Sequence, residues 1–468
     1  MSADGPDDWL NNLPPPPPDD GAPSLYVGAV ELTEDGVALA FTRAHQGRAL
    51  FDHHLGRWFW WQEADGIWRR DERRAAVEHC RTIVRGASDI EKPKVQATVR
   101  RKSFMAGAEF LAQGDPAHAV TSEVWDRDRM LLGCPGATVD LRTGVSRAPA
   151  ASDFITRQAA VAPDLAGHCP TWERFLEDAT GGDEAMIAFL QTIFGYSLTG
   201  EIKDHAAFWL YGDGGNGKSV FLNTLRGILG SYGQAASMDT FTASKYASHP
   251  TDLAALRGAR LVTVSEISEG RNLDEQRFKQ LTGGDPVRAR FMRQDEFEYV
   301  PQFKLLFAGN SRPSIRSVDS AMKRRLRMIP FNHKPARPDP DLEERLKAEW
   351  PGILRWAIRG CQAWRSEGLG QPGVVVAATA EYFGQQDLFS QWLEERCEVA
   401  LGDHRLWSAS AALFADWRKW VEAAGEFAGN SKSFGERLAR KGFIMESARV
   451  AGVKARGWRG LRLLGSQL

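Results

Sequence analysis

The sequence predicts a multidomain α/β protein built around a parallel sheet that carries a phosphate loop. Three observations predict it. Residues 212–219 read Gly-Asp-Gly-Gly-Asn-Gly-Lys-Ser, between a strand-like apolar run (Ala206–Tyr211) and a stretch of helical spacing (Val220–Leu225). Residues 201–335 then alternate strand and helix patterns, as a parallel α/β domain does. The chain has 468 residues, enough for about two to four domains that each bury a core.

The loop dictates its own chemistry. Gly212, Asp213, Gly214, Gly215, Asn216 and Gly217 would curl successive backbone N–H groups around a polyphosphate, with a helix N-terminus behind them. Lys218 would neutralise the β- and γ-phosphates, and the Ser219 hydroxyl would ligate Mg²⁺. The strand-like residues 260–265 lead to Glu266 and Glu269. Glu266, at the strand's end, is expected to hold the metal through water and act as general base, with Glu269 assisting. A third strand, Phe303–Ala308, ends at Gly309-Asn310, and Asn310 reads as a polar sensor of the γ-phosphate. Arg324-Arg325 precede a fourth apolar strand, Leu326–Phe331. One of them could reach the triphosphate of a neighbouring subunit, with Arg325 slightly favoured by its distance from Asn310. The span from Gly212 to Arg325, 114 residues, is one nucleotide-binding core, so a second copy must complete it and a closed ring is implied.

Composition excludes several classes. Hydrophobic residues make up 43% and charged residues 25%, ordinary globular values, and no apolar run approaches the roughly 20 residues of a membrane span. The N-terminus lacks a basic signal-like segment, and five scattered cysteines lack metal spacing; a cytoplasmic protein with reduced thiols, in a bacterial host, is expected. Net charge is −1 but unevenly spread: residues 431–468 hold nine Lys/Arg against two acidic residues, and residues 1–24 hold five Asp and no base.

The expected organisation is an acidic, Pro-rich tail (1–24), a mixed domain (25–150), a helical domain (151–200), the α/β domain (201–335), a helical linker (336–372) and a C-terminal domain (373–468). In the mixed domain Trp58, Phe59, Trp60, Trp61 and Trp68 are expected to form a small core rather than a base-stacking platform. From Pro372 to about Ala424 the pattern reads helical.

These motifs together resemble the superfamily 3 helicases, specifically the helicase part of the phage and plasmid primase–helicase family related to the poxvirus primase–helicase. The resemblance rests on Gly212–Ser219, Ser265–Gly270, Lys279–Asp285, Phe307–Asn310 and Arg324–Phe331, with Leu141–Gly144 and Phe194–Gly200 upstream, and covers roughly residues 130–390. It implies an AAA+-like, ATP- and Mg²⁺-dependent hexamer that translocates on single-stranded DNA and unwinds forked duplex. Lys218 and Ser219 would serve the phosphate loop, Glu266 the acidic motif, Asn310 the sensor, and Arg324 or Arg325 the finger. The chain departs from the pattern in two ways. No primase domain is evident, leaving a separate primase or initiator as a possible partner, and Ser265 stands where many relatives have a second acid. An RNA-directed motor and an ATP-gated loading protein that does not unwind are the competing readings.

Two segments are candidates for holding DNA. Val287, Ala289, Phe291, Phe297 and Tyr299 alternate as a hairpin, which in the family projects into the ring channel; Arg290 and Arg293 would grip phosphates. Near the C-terminus a helix over Ser433–Lys441 buries Phe434 and Leu438. A strand at Phe443-Ile444 and a basic loop, Gly452–Arg459, follow. This reads as a winged-helix-like domain touching DNA through Arg440, Lys441, Lys454 and Arg456, or else docking a protein partner.

Overall fold

The computed structural model describes residues 30–164, 166–242, 250–265, 273–292, 295–315, 319–335, 339–403, 405–424, 428–450 and 453–465. The acidic tail lies outside them. The chain divides into two compact units, the first running to Asp140 and including Val145–Ala159, the second taking Leu141–Gly144 and the chain from Ala160.

The first unit comprises α1 (Glu34–His45), β1 (Ala49–Asp52), β2 (Arg57–Gln62), β3 (Ile67–Arg70), α2 (Ala75–Ser88), α3 (Pro93–Val99), α4 (Lys102–Gln113), β4 (Ala119–Val120), β5 (Leu131–Cys134), β6 (Ala137–Asp140) and β7 (Val145–Arg147). Its main sheet runs β3-β2-β1-β4. The aromatic run of β2 is explained by strand alternation: successive side chains face opposite sides of the sheet. Trp58 and Trp60 pack with Phe41, Ile83 and Ala108 of the helices, while Phe59 and Trp61 join Leu50, Trp68 and Trp125 on the other face. One run therefore builds two small cores. The indole N–H groups find acceptors, Trp58 on Glu109 at 2.6 Å and Trp68 on the Ala151 carbonyl at 2.8 Å.

Three histidines, His45, His79 and His118, line the helix-side core. His118 Nδ1 donates to the Ala49 carbonyl at 2.8 Å, and the Nε2 atoms of His45 and His118 are buried without a partner among the described residues. A proton added to either buried nitrogen would find no acceptor among the described residues. Burial is the first cause lowering all three pKa values, that of His45 to about 3. Since the unfolded chain protonates near 6.5, the stabilisation from keeping the His45 ring neutral is complete above that pH and is lost as pH falls from 6.5 towards 3, and the lowered His79 and His118 act in the same direction. Protonating the His45 ring should cost up to about 1.4 kcal/mol per pH unit in that window. Tryptophan-fluorescence melts at pH 7.5 and 5 should show acid destabilisation of this unit, reduced in His45→Phe; a pH-independent melt would refute it.

The second unit continues with α5 (Pro170–Thr180), α6 (Glu184–Leu198), β8 (Ala207–Tyr211), α7 (Lys218–Leu229), β9 (Gly233–Ala236), α8 (Pro250–Ala254), β10 (Leu261–Val264), α9 (Glu275–Gly283), β11 (Val287–Ala289), β12 (Phe297–Tyr299), β13 (Lys304–Gly309), α10 (Ser320–Arg325), β14 (Leu326–Pro330), α11 (Leu342–Glu367), α12 (Gly373–Gln386), α13 (Leu388–Arg396), β15 (Cys397–Val399), β16 (Trp407–Ala409), α14 (Ser410–Ala423), α15 (Ser431–Arg440), β17 (Ile444–Val450), β18 (Val453–Arg459) and β19 (Leu461–Leu463). Five strands form a parallel sheet in the order β14-β8-β13-β10-β9. The interior strand β8 is wholly buried. Trp209 stacks on Phe307 of its neighbour at 4.8 Å, and α12 covers that face with Ala378, Tyr382 and Phe383.

The segment Phe194–Gly200 is structural. α6 ends against the start of the sheet, where two buried cations receive its last carbonyls. Arg260 donates to the Leu198 carbonyl at 2.6 Å, and Lys304 reaches the Thr199 carbonyl and, at 3.2 Å, that of Glu201. A cation at a helix C-terminus is favoured by the dipole, and these two also satisfy acceptors that burial would strand. Gly195 lets α6 touch α11: a Cβ there would fall 2.0 Å from the Cys361 amide nitrogen, and one at Gly360 would fall 2.1 Å from the Gln191 carbonyl. The Leu141–Gly144 segment is likewise held by α11, with Gln362 donating to the Thr143 carbonyl at 2.8 Å.

The C-terminal region differs from the sequence reading. The helical stretch expected from Pro372 to Ala424 is interrupted by β15 and β16, and the expected basic loop at 452–459 is mostly strand β18. β18 pairs antiparallel with β17 and, on its other edge, with β16. The strand residue at 457 is a glycine because the Trp407 ring and the Ser408 carbonyl crowd it: an added Cβ would lie 2.3 Å from each. All five cysteines are free and buried. Among the described residues no helix is long and apolar enough to cross a membrane.

Candidate nucleotide site and nucleic-acid contacts

The sheet register fixes the site. Tyr211, Gly309 and Pro330 lie abreast on three neighbouring strands. The residue after Tyr211 opens the glycine loop, and the residue after Gly309 is Asn310. The loop and Asn310 thus emerge side by side at the carboxyl edge of the sheet, where open parallel sheets bind ligands. Asn310 is exposed there.

The loop's conformation needs its glycines. Gly212 has φ 144° with the Phe331 carbonyl 2.1 Å from where a Cβ would stand, and Gly217 has φ 85° with the Phe175 ring at 2.7 Å. Gly217 caps α7 without a side-chain hydrogen bond, and no acidic residue occupies the first turn. Those first N–H groups and the helix dipole therefore face outward without an internal anion. Asp213, Gly214, Gly215 and Ser219 are exposed.

Lys218 folds back into the loop. Its ammonium donates to the Gly212 carbonyl and Asn216 Oδ1, both at 2.7 Å, and to the Asp213 carbonyl at 3.2 Å. Only 6% of the residue is exposed. Burial lowers its pKa from the ordinary lysine value; Asp213 opposes that shift and Lys334 adds to it. Asn216, also buried, donates its amide to the Phe331 carbonyl, while the Phe331 amide donates to the Tyr211 carbonyl at 2.8 Å. The loop is thereby stitched to the end of β14. The neutral acceptors around Lys218 and the uncapped α7 fit a polyphosphate: phosphate oxygens can replace carbonyls around the ammonium without a buried carboxylate to repel them.

Glu266, Glu269 and Arg293 lie outside the described residues. The strand leading to Glu266, β10, ends at Val264 in register with Phe307 and hence Trp209. Arg324 is exposed at the C-terminal end of α10. Arg325 instead lies against its own subunit: Nη1 donates to the Ala321 carbonyl at 3.4 Å and Nε is buried without a partner among the described residues. The alternating residues do form a hairpin, β11 pairing with β12, with Val287, Ala289 and Tyr299 buried and Arg290 exposed beyond β11.

At the C-terminal end of the chain, Lys454 and Arg456 are exposed on β18, and their cross-strand partners are Arg449 and Ser447. Lys441 is engaged internally by Ser390 and, at 3.6 Å, by Asp387. Arg440 belongs to α15 by its backbone; its side chain lies outside the described residues.

Sequence reasoning missed Arg312. Two residues past Asn310, its guanidinium lies over the Tyr211 ring at 4.5 Å and donates to Glu381 and Gln385 of α12 at 3.1 Å each. With Tyr382 donating to the Pro313 carbonyl at 2.8 Å, this binds the loop after β13 to α12. No sequence periodicity marks such a contact, because its partners lie about 70 residues away.

Fold and site together define a multidomain α/β protein with a parallel, phosphate-loop-type core. Residues 38–181 match the D5 N terminal like family, and residues 210–325 match a family of unknown function (DUF5906). The chain is 25% identical over 264 residues to "Putative helicase L207/L206" of Acanthamoeba polyphaga mimivirus, covering 52% of this chain and 27% of that protein. It is 25% identical over 258 residues to "Putative helicase 022R" of Frog virus 3, covering 50% and 26%. The chain spans about a quarter of the length of these curated relatives. The apo structure of the NrS-1 C terminal region covers 88% of this chain and 95% of its own, at 13% identity and a TM-score of 0.47. Residues 38–181 thus resemble the D5 N terminal like family, and the chain is similar to viral proteins named as helicases, in agreement with the resemblance of its motifs.

Proposed function

We propose that the chain is an ATP-dependent DNA helicase of the superfamily 3 type, working as a ring, expected to be a hexamer, in the replication of a bacteriophage, prophage or related element. The observation that carries this is the register of β8 with its two neighbours. It supports a site in which the glycine loop lies beside Asn310 on one flank and the strand following Arg324-Arg325 on the other. The strand order around β8 supports an AAA+-like core.

In this reading the N–H groups from Gly214 to Ser219 and the Lys218 ammonium hold the polyphosphate. Ser219 and Glu266 hold Mg²⁺, and Asn310 orients the attacking water that Glu266 deprotonates. ATP with Mg²⁺ supplies the free energy of phosphoanhydride cleavage. Arg324 or Arg325 completes the pocket of the adjoining subunit, and Arg290 with Arg293 grips the strand by its phosphates, which carry no sequence information. The succession α13, β16, α14, α15, β17, β18 supports a winged-helix-like module whose ribbon presents Arg449, Lys454 and Arg456. Because α12 packs into the sheet's core, this module is best begun at Asp387.

Purified protein should show ATP hydrolysis stimulated by single-stranded DNA and should open a DNA fork, with RNA forks as the contrast. A monomer that hydrolyses ATP at full rate would refute the ring. Replacing Arg449, Lys454 and Arg456 together with alanine should lower the slope of log affinity for duplex DNA against log salt by about 2 to 3. An unchanged slope would assign the module to a protein partner such as a primase or initiator.

A further inference from the structure

We propose that the first unit carries a grip for a single-stranded polynucleotide, formed where α2, α3 and α4 meet. Residues 85–102 contain six basic residues (Arg85, Lys92, Lys94, Arg100, Arg101, Lys102) against Asp89 and Glu91, in a chain whose net charge is −1. These residues are brought together in space. Arg100, just before α4, donates to Ser88 at the end of α2 at 2.9 Å and pairs with Asp89, and Gln96 of α3 donates to the Glu91 carbonyl at 3.0 Å. The other five cations are exposed, and among the described residues none of them forms an ion pair.

Their placement runs against helix electrostatics. Lys92 and Lys94 flank the start of α3, and Arg101 and Lys102 form the start of α4. Neither helix has an acidic residue in its first turn or a side-chain cap. Cations there oppose the helix dipole, so folding gains nothing from them. A residue that breaks a local rule without a compensating contact marks function more often than packing.

An aromatic side chain supplies a second, independent feature. On α4, Lys102, Ala106 and Phe110 recur every four residues and so share one face, and Phe110 is 70% exposed. A phosphate-neutralising cluster followed along one helix by an open aromatic ring is the combination by which single strands are held: charge for the backbone, ring for a base. An acidic polypeptide would use the cations but leave Phe110 idle, which favours the polynucleotide.

Choosing a nucleic acid rests on the helicase reading, but the test needs no ATP, so lost hydrolysis with retained binding would sink that reading and spare this one. Full-length protein is titrated with fluorescent oligo-dT across a salt series, without nucleotide. K92A/K94A/R101A/K102A should lower the salt slope by about 2 to 3. Phe110→Ala should weaken binding about tenfold at unchanged slope, with Phe110→Trp restoring it. Melting curves matching the wild type would verify that the variants fold. If the quadruple variant fails to fold, the Phe110 pair decides alone. Unaltered affinity and slope in the variants overturn the proposal. So does intact oligo-dT binding with selective loss of poly-glutamate binding, which would make the surface a dock for an acidic protein.

Discussion

Replacing Lys218 with alanine is expected to reduce ATP turnover about 100-fold or more while leaving the fold intact. Removing one preorganised donor at a charge-bearing site costs about that much, and here the donor is also the loop's buried cation. The fold should survive because the Gly212 and Asp213 carbonyls border an exposed loop, where water can reach them, and buried Asn216 stays anchored through its amide on the Phe331 carbonyl. Nucleotide affinity, followed with a fluorescent ATP analogue, should fall together with turnover, since the same ammonium is assigned to the bound polyphosphate. Normal hydrolysis by Lys218→Ala would remove the phosphate-loop assignment. Loss of hydrolysis accompanied by a collapsed melting temperature would instead mark the lysine as a structural staple.

The second large effect concerns the arginine pair. A finger supplied by a neighbouring subunit is worth about 10³ to 10⁵ in turnover, so the true finger should stand out against its neighbour. The structure separates the two. Arg324 is exposed, and its removal should leave stability unchanged. Arg325 contacts Ala321 of its own helix and buries an Nε that has no partner among the described residues, so Arg325→Ala should shift the melting temperature as well as any activity. Each variant is then mixed with Lys218→Ala subunits. An intact pocket forms wherever a Lys218→Ala subunit lends its arginine to a finger-less neighbour, at roughly a quarter of the interfaces in a random 1:1 closed ring. Activity should recover with increasing mixture for the finger variant. Recovery with neither would disprove a pocket shared between subunits.

The legible and illegible parts of the chain divide by the range of the interactions. The glycine loop, the strand before it and the helix after it were readable because they are contiguous and their chemistry tolerates few residues. The hairpin at 287–299 was readable from alternation alone. The aromatic core around Trp58 was readable as a core, though not as two cores on opposite faces of one sheet. What could not be read was set by distant partners. Arg260 and Lys304 look like ordinary strand-edge charges until α6 is seen to end on them. Arg312 looks like turn chemistry until α12 crosses Tyr211. Gly457 and its basic neighbours carry every local sign of a loop, and Trp407 and Ser408, about 50 residues upstream, explain a glycine within a strand.

The glycine seam between α6 and α11 has a practical consequence. Two backbones meet there with no room for a single carbon on either side, so any replacement must part the helices at once. A saturation library should accept no replacement at positions 195 and 360, while the exposed neighbour Arg359 tolerates many. A heat-sensitive allele, useful for switching the protein off in living cells without disabling its chemistry, is best sought at those two positions.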